Sequence, residues 1–219
     1  MKTNFFATTF YMLIFSTSVL AQFGIQAGGV ISKLKSKSDD FSYEPDSRTG
    51  FTGGITYRMP IGKTFSFQPG LNWTQKGFKD EYEDGAEAKV IYNYLEIPLY
   101  FLYTGSSSSG FYAGVGPSFN IGMSGKYKYK EDGQEEEEDI EFGDDIKGFH
   151  MAINAQAGYK FGNGLALNAF VAQSITNSAA DYETSDREVK ISMFSYGLRV
   201  GYFIPKNKQA NNSRLKQPL

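Results

Sequence analysis

The sequence predicts an all-β protein, an eight-stranded antiparallel up-and-down transmembrane β-barrel, on three observations. The first is alternation. Phe65, Phe67, Pro69, Leu71 and Trp73 share one face of a stretch whose other face carries Ser66, Gln68, Gly70, Asn72 and Thr74. That is the two-residue period of an extended strand. The polar face is too wet for a sandwich core, whereas a membrane barrel needs lipid on one side and a polar lumen on the other. The second observation is that connections one, three, five and seven are long and polar while two, four and six are short. The third is a concentration of aromatics where strands meet the short turns: Tyr57, Phe65, Phe67, Phe101, Tyr103, Phe111, Tyr159, Phe161 and Tyr202. Interfacial girdles have this arrangement.

Residues 1–21 read as a secretory signal, with Lys2 as the positive charge, an apolar run from Phe5 to Leu20, and Val19-Leu20-Ala21 as the cleavage site. The barrel domain spans 22–204. Its first strand, Gln22 to Ser32, sets Phe23, Ile25 and Ala27 against Gln26 and Gly28, and Lys33 to Thr49 forms a polar loop. The second, Gly50 to Pro60, opposes Phe51, Ile55, Tyr57 and Met59 to Thr52, Thr56 and Arg58, and turns at Ile61-Gly62-Lys63. Strands three and four make a hairpin across Thr64 to Tyr103, interrupted by a charged loop from Asp80 to Lys89. Strand four places Leu95, Ile97, Leu99 and Phe101 against Tyr94, Glu96, Pro98 and Tyr100.

Gly105 to Gly110 is a short connection to strand five, Phe111 to Ile121. Pro117 there, like Pro69 and Pro98, removes a ladder hydrogen bond and predicts a bulge or local distortion. Gly125 to Lys147 is the longest and most acidic loop. Strand six, Gly148 to Phe161, opposes Met151, Ile153, Ala155, Ala157 and Tyr159 to His150, Asn154, Gln156 and Lys160. Gly162-Asn163-Gly164 is a hairpin signal. Strand seven runs Leu165 to Asn177, with Phe170 breaking its pattern on the polar side. Strand eight follows over Lys190 to Ile204 after the loop Ser178 to Val189, with Phe194, Tyr196, Leu198, Val200 and Tyr202 apolar. Residues 205–219 form a polar, basic tail without periodicity. A first strand that follows directly on a signal peptide starts at the periplasmic side, which gives the long connections the outer face.

The net charge of −2 argues against a broad nucleic-acid-binding surface. With no Cys and a single His, disulfides, zinc knuckles and cysteine nucleophiles are excluded, as is any site needing two imidazoles. Arg58, Glu96 and Arg199 fall on the expected lumen face. Small barrels are filled by side chains, so these three charges are expected to pair as a structural plug, Glu96 with Arg199 or Arg58. His150 is expected at the edge of an outer loop. Ser106 to Ser109 sit at the opposite end from a rim-type hydrolase site and lack a His or Asp pattern beside them. No enzyme, metal site or cofactor is expected. Ten of the chain's 24 acidic residues lie between Glu131 and Asp145. The regular spacing of a calcium loop is missing from that run. Self-repulsion predicts an extended, solvated loop that does not fold down as a plug, preceded by Lys126, Lys128 and Lys130 as partners for its acids or for lipid phosphate.

Gln68-Pro69-Gly70-Leu71, Tyr94-Leu95-Glu96-Ile97-Pro98-Leu99 and Gly114-Val115-Gly116-Pro117, with an opening Phe23-Gly24-Ile25-Gln26-Ala27-Gly28, resemble the PorT-type outer-membrane β-barrel family of Bacteroidetes. Tyr94 to Leu99 is the most specific of these motifs. The chain departs from the common barrel ending, since Tyr202-Phe203 precedes a basic tail. The resemblance implies an outer-membrane location, a structural or accessory envelope role and a link to protein secretion. Outer-membrane lipid and an envelope or secretion-system protein would be its partners. Two rivals stand beside it: a secreted lipocalin-like barrel with an apolar interior for a small molecule, and a barrel enzyme working at the outer rim.

Overall fold

The computed structural model describes residues 22–38, 41–82, 85–105, 109–143, 146–178 and 190–204. The expected signal segment and basic tail lie outside them. Ten strands follow in chain order: β1 (Gln22–Ser38), β2 (Phe41–Tyr43), β3 (Asp46–Ile61), β4 (Phe65–Glu81), β5 (Glu87–Tyr103), β6 (Gly110–Glu131), β7 (Gln134–Ile140), β8 (Phe149–Lys160), β9 (Leu165–Ser174) and β10 (Lys190–Phe203). Eight of them close a ring, β10-β9-β8-β6-β5-β4-β3-β1, with β1 pairing back onto β10 from Gly24↔Phe203 to Lys37↔Lys190. Every pairing in the ring is antiparallel. A closed ring leaves no edge in the hydrocarbon region, as a bilayer requires.

Inside and outside follow the alternation. On β10, Leu198 is 69% exposed on the outer surface and its neighbour Arg199 is 1% exposed in the lumen. Buried polar residues line the interior on every ring strand, among them Gln26, Thr56, Asn72, Glu96, Asn120, Asn154, Asn168 and Arg199. The apolar faces look outward. This is the reverse of a lipocalin interior.

The expected aromatic girdle forms at the short-turn end, where Phe65 meets Tyr103, Phe67 meets Phe101, and Tyr159 meets both Phe111 and Phe161, ring centroids 4.9–5.9 Å apart. Tight turns hold that end together. At the third, Phe161 N–H donates to Leu165 O at 2.7 Å. Gly164 there has φ +96°, a conformation glycine adopts without a Cβ penalty.

Three expectations need correction. First, long connections one, three and five are largely strand, while residues 179–189 of the seventh lie outside the described residues. Residues 33–38 belong to β1, 46–49 to β3, 80–81 and 87–89 to β4 and β5, and 125–131 and 134–140 to a β6–β7 hairpin. A tilted membrane strand needs about 9–11 residues, and β4 and β5 have 17 each. The surplus projects beyond the membrane band as a continuous sheet. Its outward face is wet and charged, while its mouth-side face buries Ala88, Val90 and Tyr92. Second, the prolines carry no bulge but only a local distortion, the pairing lapsing at Gly70–Leu71 opposite Ile97–Pro98 and at Leu99–Tyr100 opposite Gly116–Pro117. Register is unchanged from Pro69↔Leu99 to Asn72↔Glu96 and from Pro98↔Ser118 to Phe101↔Val115. The shifts fall at Asn93/Tyr94 and between Ser47 and Thr52. Near the second shift, Ser32 of β1 reaches β4: its Oγ donates to Gly77 O at 2.7 Å and accepts from Gly77 N at 2.9 Å.

The third correction concerns the acidic connection. Its acidic part is solvated, but in a paired hairpin, and its returning end folds down over the lumen. Ile146 is 1% exposed in a cluster with Val90, Tyr92, Tyr94 and Met193, against which Phe142 and Ile140 pack. The Phe142 ring lies 5.7 Å from Tyr94 and 6.1 Å from Tyr92. Lys126 and Lys128 offset the self-repulsion of the glutamates across the hairpin, and self-repulsion has no hold on the apolar residues that follow.

Candidate functional site: the lumen network and its outer mouth

Glu96 points inward because β5 alternates strictly, and its cross-strand neighbours Asn72 and Asn120 are buried beside it. Two cations face its carboxylate: Lys76 Nζ at 3.4 Å from Oε2, and Arg199 Nη2 at 3.8 Å from Oε1. Lys76 Nζ also donates to Asn120 Oδ1 at 3.0 Å, and Asn154 Nδ2 lies 3.5 Å from Glu96 Oε1. The Arg199 guanidinium sits over the Phe170 ring at 3.6 Å. Phe170 on the polar face is thereby explained: a weakly hydrated guanidinium stacks on an aromatic face. Lys76 was missed in the sequence, although the alternation ending at Thr74 reaches it two residues later.

Arg58 does not join this group. It lies at the short-turn end, where Nε donates to Gln68 Oε1 at 2.7 Å and the guanidinium sits between the Tyr112 and Phe203 rings at 4.3 and 4.5 Å. Of the three charged residues expected to pair, Glu96 and Arg199 come together and Arg58 stands apart. Among the described residues the lumen holds three buried cations, Arg58, Lys76 and Arg199, and one buried acid.

His150 is not at a loop edge. β8 starts at Phe149, so His150 is already inside, 1% exposed, its ring edge-on to Tyr94 at 4.9 Å. Ser106 to Ser108 lie outside the described residues.

Among the described residues, an apolar cluster of buried side chains sits at each end of the lumen. At the short-turn end Tyr100, Leu102 and Tyr112 form a buried cluster, next to the Arg58–Tyr112–Phe203 stack. At the other end the Tyr92, Tyr94, Ile146 and Met193 cluster packs at the mouth under Phe142.

Above the mouth the projecting sheet carries charge. On its outward face Lys126 pairs with Glu137, Lys128 with Glu135 and Glu137 at 3.1 and 2.6 Å, and Lys89 with Glu87 at 2.8 Å. The hydrogen bonds from Lys126 and Lys128 hold the Glu137 carboxyl down to about 2.

A match to a family model agrees with this architecture. A family model described as outer membrane protein beta-barrel domain matches residues 17–180. Comparison with curated proteins finds no match. Among solved structures, the fold is similar to Ail, the attachment invasion locus protein of Yersinia pestis, at 14% identity and TM-score 0.45, covering 84% of this chain and 99% of that one. It is also similar to Neisserial surface protein A, at 13% and 0.43 over 83% and 97%, and to OprG of Pseudomonas aeruginosa, at 12% and 0.41 over 85% and 97%. Likenesses at these scores bear no functional weight. The family match covers most of the chain, and the closed ring with an apolar exterior is what that family's description requires. The chain therefore belongs to the outer membrane protein beta-barrel domain family.

Proposed function

We propose that this outer-membrane barrel is a non-enzymatic, PorT-type envelope protein of a Bacteroidetes bacterium. It has an accessory role in protein secretion and presents its projecting sheet to an envelope or secretion-system partner. The observation that carries the reading is the apolar cluster packed at each end of the lumen among the described residues, which favours the rims and the projecting sheet as the surfaces a partner can reach. Burial of the single imidazole under Tyr94 supports a role without catalysis. The motifs around Tyr94 to Leu99 support the PorT-type assignment. An N-terminal signal peptide over residues 1–21 would deliver the chain, and outer-membrane lipid would surround it.

Deleting the gene and comparing the proteins of the culture medium with those of the parent strain tests this. Loss of a set of secreted proteins, with other outer-membrane barrels still assembled, is expected. An unchanged medium would contradict the secretion role. In planar bilayers the purified barrel should give no stepwise conductance.

A further inference from the structure

The projecting sheet has two faces of opposite character. Its outward rows are Lys79–Lys89–Lys128–Glu137 and Glu81–Glu87–Lys130–Glu135. There lysine meets glutamate repeatedly, Lys79 with Glu81, Lys89 with Glu87, and Lys128 with Glu135 and Glu137. The rows on the mouth side are Phe78–Val90–Tyr127–Glu138 and Asp80–Ala88–Tyr129–Glu136. They contain three carboxylates and two tyrosines and no lysine or arginine. Tyr127, Tyr129, Glu136 and Glu138 line an open cleft of about 270 Å³.

Four features of the cleft define its occupant. Its carboxylates call for a cation, and the two tyrosine rings call for one that is planar or weakly hydrated, because such groups gain most from an aromatic face. Its size is below the roughly 300 Å³ at which pockets for drug-sized ligands begin, so it fits one side chain of a longer molecule. No group of three or more acidic or imidazole side chains among the described residues is spaced to hold a metal ion, which turns the reading away from calcium. Finally, Tyr127 at one side of the cleft is packed against the apolar cluster at the mouth. Burial, then Tyr82, Glu138 and Asp80, raise the Tyr127 hydroxyl, and burial raises the Asp80 carboxyl.

We propose that the mouth-side face of the β4–β5–β6–β7 sheet docks a basic polypeptide, seating an arginine side chain between Tyr127 and Tyr129 with Glu136 and Glu138 as its counter-charges. This deepens the reading above by giving the partner a chemistry, and rests on that reading only for the face being presented outside the membrane.

The test uses the full-length barrel in nanodiscs of zwitterionic lipid and a fluorescent arginine octapeptide, read by anisotropy at near-physiological salt. Saturable binding is expected. Glu136→Gln with Glu138→Gln should weaken it about tenfold, whereas Glu135→Gln with Glu137→Gln, the same change in formal charge, should weaken it by less than about threefold. Tyr129→Leu should bring affinities for arginine and lysine octapeptides to near equality. Heat-modifiable mobility on a gel confirms folding of each variant, and the Tyr129→Leu comparison stands even if a glutamate pair proves necessary for the hairpin. Equal weakening by both glutamate pairs, or no saturable binding by the native protein, would overturn the proposal. The assay does not depend on secretion, so an unchanged culture medium with intact peptide binding would contradict the cellular role alone.

Discussion

Glu96 is the only buried acid among the described residues, and two of the three buried cations face it. Removing its charge leaves Lys76 and Arg199 confronting each other without a counter-ion. Breaking one member of such a buried group costs about 3–5 kcal/mol. Glu96→Gln should therefore lower the urea midpoint of the detergent-folded barrel, and adding Arg199→Gln or Lys76→Gln should recover part of the loss. Arg58→Gln should add to Glu96→Gln independently, because Arg58 is held by Gln68, Tyr112 and Phe203 instead. Additive losses for Arg199 and Lys76 as well would show that the trio does not interact. Much of this was legible in the sequence. Alternation placed Glu96, Arg58 and Arg199 on the lumen face, but alternation fixes a face and says nothing of height along the barrel. The separation of Arg58 from Glu96 therefore needed the register.

At the scale of elements, the β6–β7 hairpin stands on Lys–Glu pairs across its outward face. The Glu137 carboxyl, held at about 2 against an ordinary 4.5, is favoured as the anion by Lys126 and Lys128. A carboxyl with a depressed folded-state value contributes stability above its unfolded value and loses it as pH falls through the folded one. The contribution of Glu137 is thus intact above about pH 4.5, fading toward pH 2. It is an exposed group, so the effect is local. The Glu137 carboxyl carbon, followed by NMR, should titrate with a midpoint near 2, and Lys126→Gln with Lys128→Gln should return it toward 4.5.

The apolar end of the same connection matters more to the fold. Replacing Lys130 to Asp139 with a short Gly-Ser turn should preserve assembly and heat-modifiability. Ile146→Ala should cost about 2–5 kcal/mol in urea unfolding, as buried large-to-small changes do. Equal tolerance of both would mean that Phe142 and Ile146 do not cap the lumen. The spanning halves of the strands were readable because lipid and lumen impose opposite side chains on alternate positions. The projecting halves were not, because no lipid sets one face there: Lys126, Lys128 and Lys130 alternate with Tyr127 and Tyr129, and Glu135 to Asp139 is charged at every position. The cap was hidden for another reason: Phe142 and Ile146 are isolated apolar residues beside an acidic run, with no period to reveal them.

For the whole molecule the central claim is the sense of the alternation, apolar residues toward lipid and polar ones toward the lumen. An arginine at Leu198 or Leu167, both exposed on the outer surface, should block assembly at a cost of about 2–4 kcal/mol near the midplane, while one at Asn168 should be tolerated better. The most direct measurement exploits the lack of cysteine, which lets one nitroxide be attached at one engineered Cys at a time along β9 and β10. In lipid bilayers, power-saturation EPR should find labels at 167, 171, 198 and 200 open to oxygen and shielded from a water-soluble nickel relaxant. Labels at 168, 170 and 199 should be shielded from oxygen. Equal access of the water-soluble relaxant to both sets would contradict a membrane barrel of this sense.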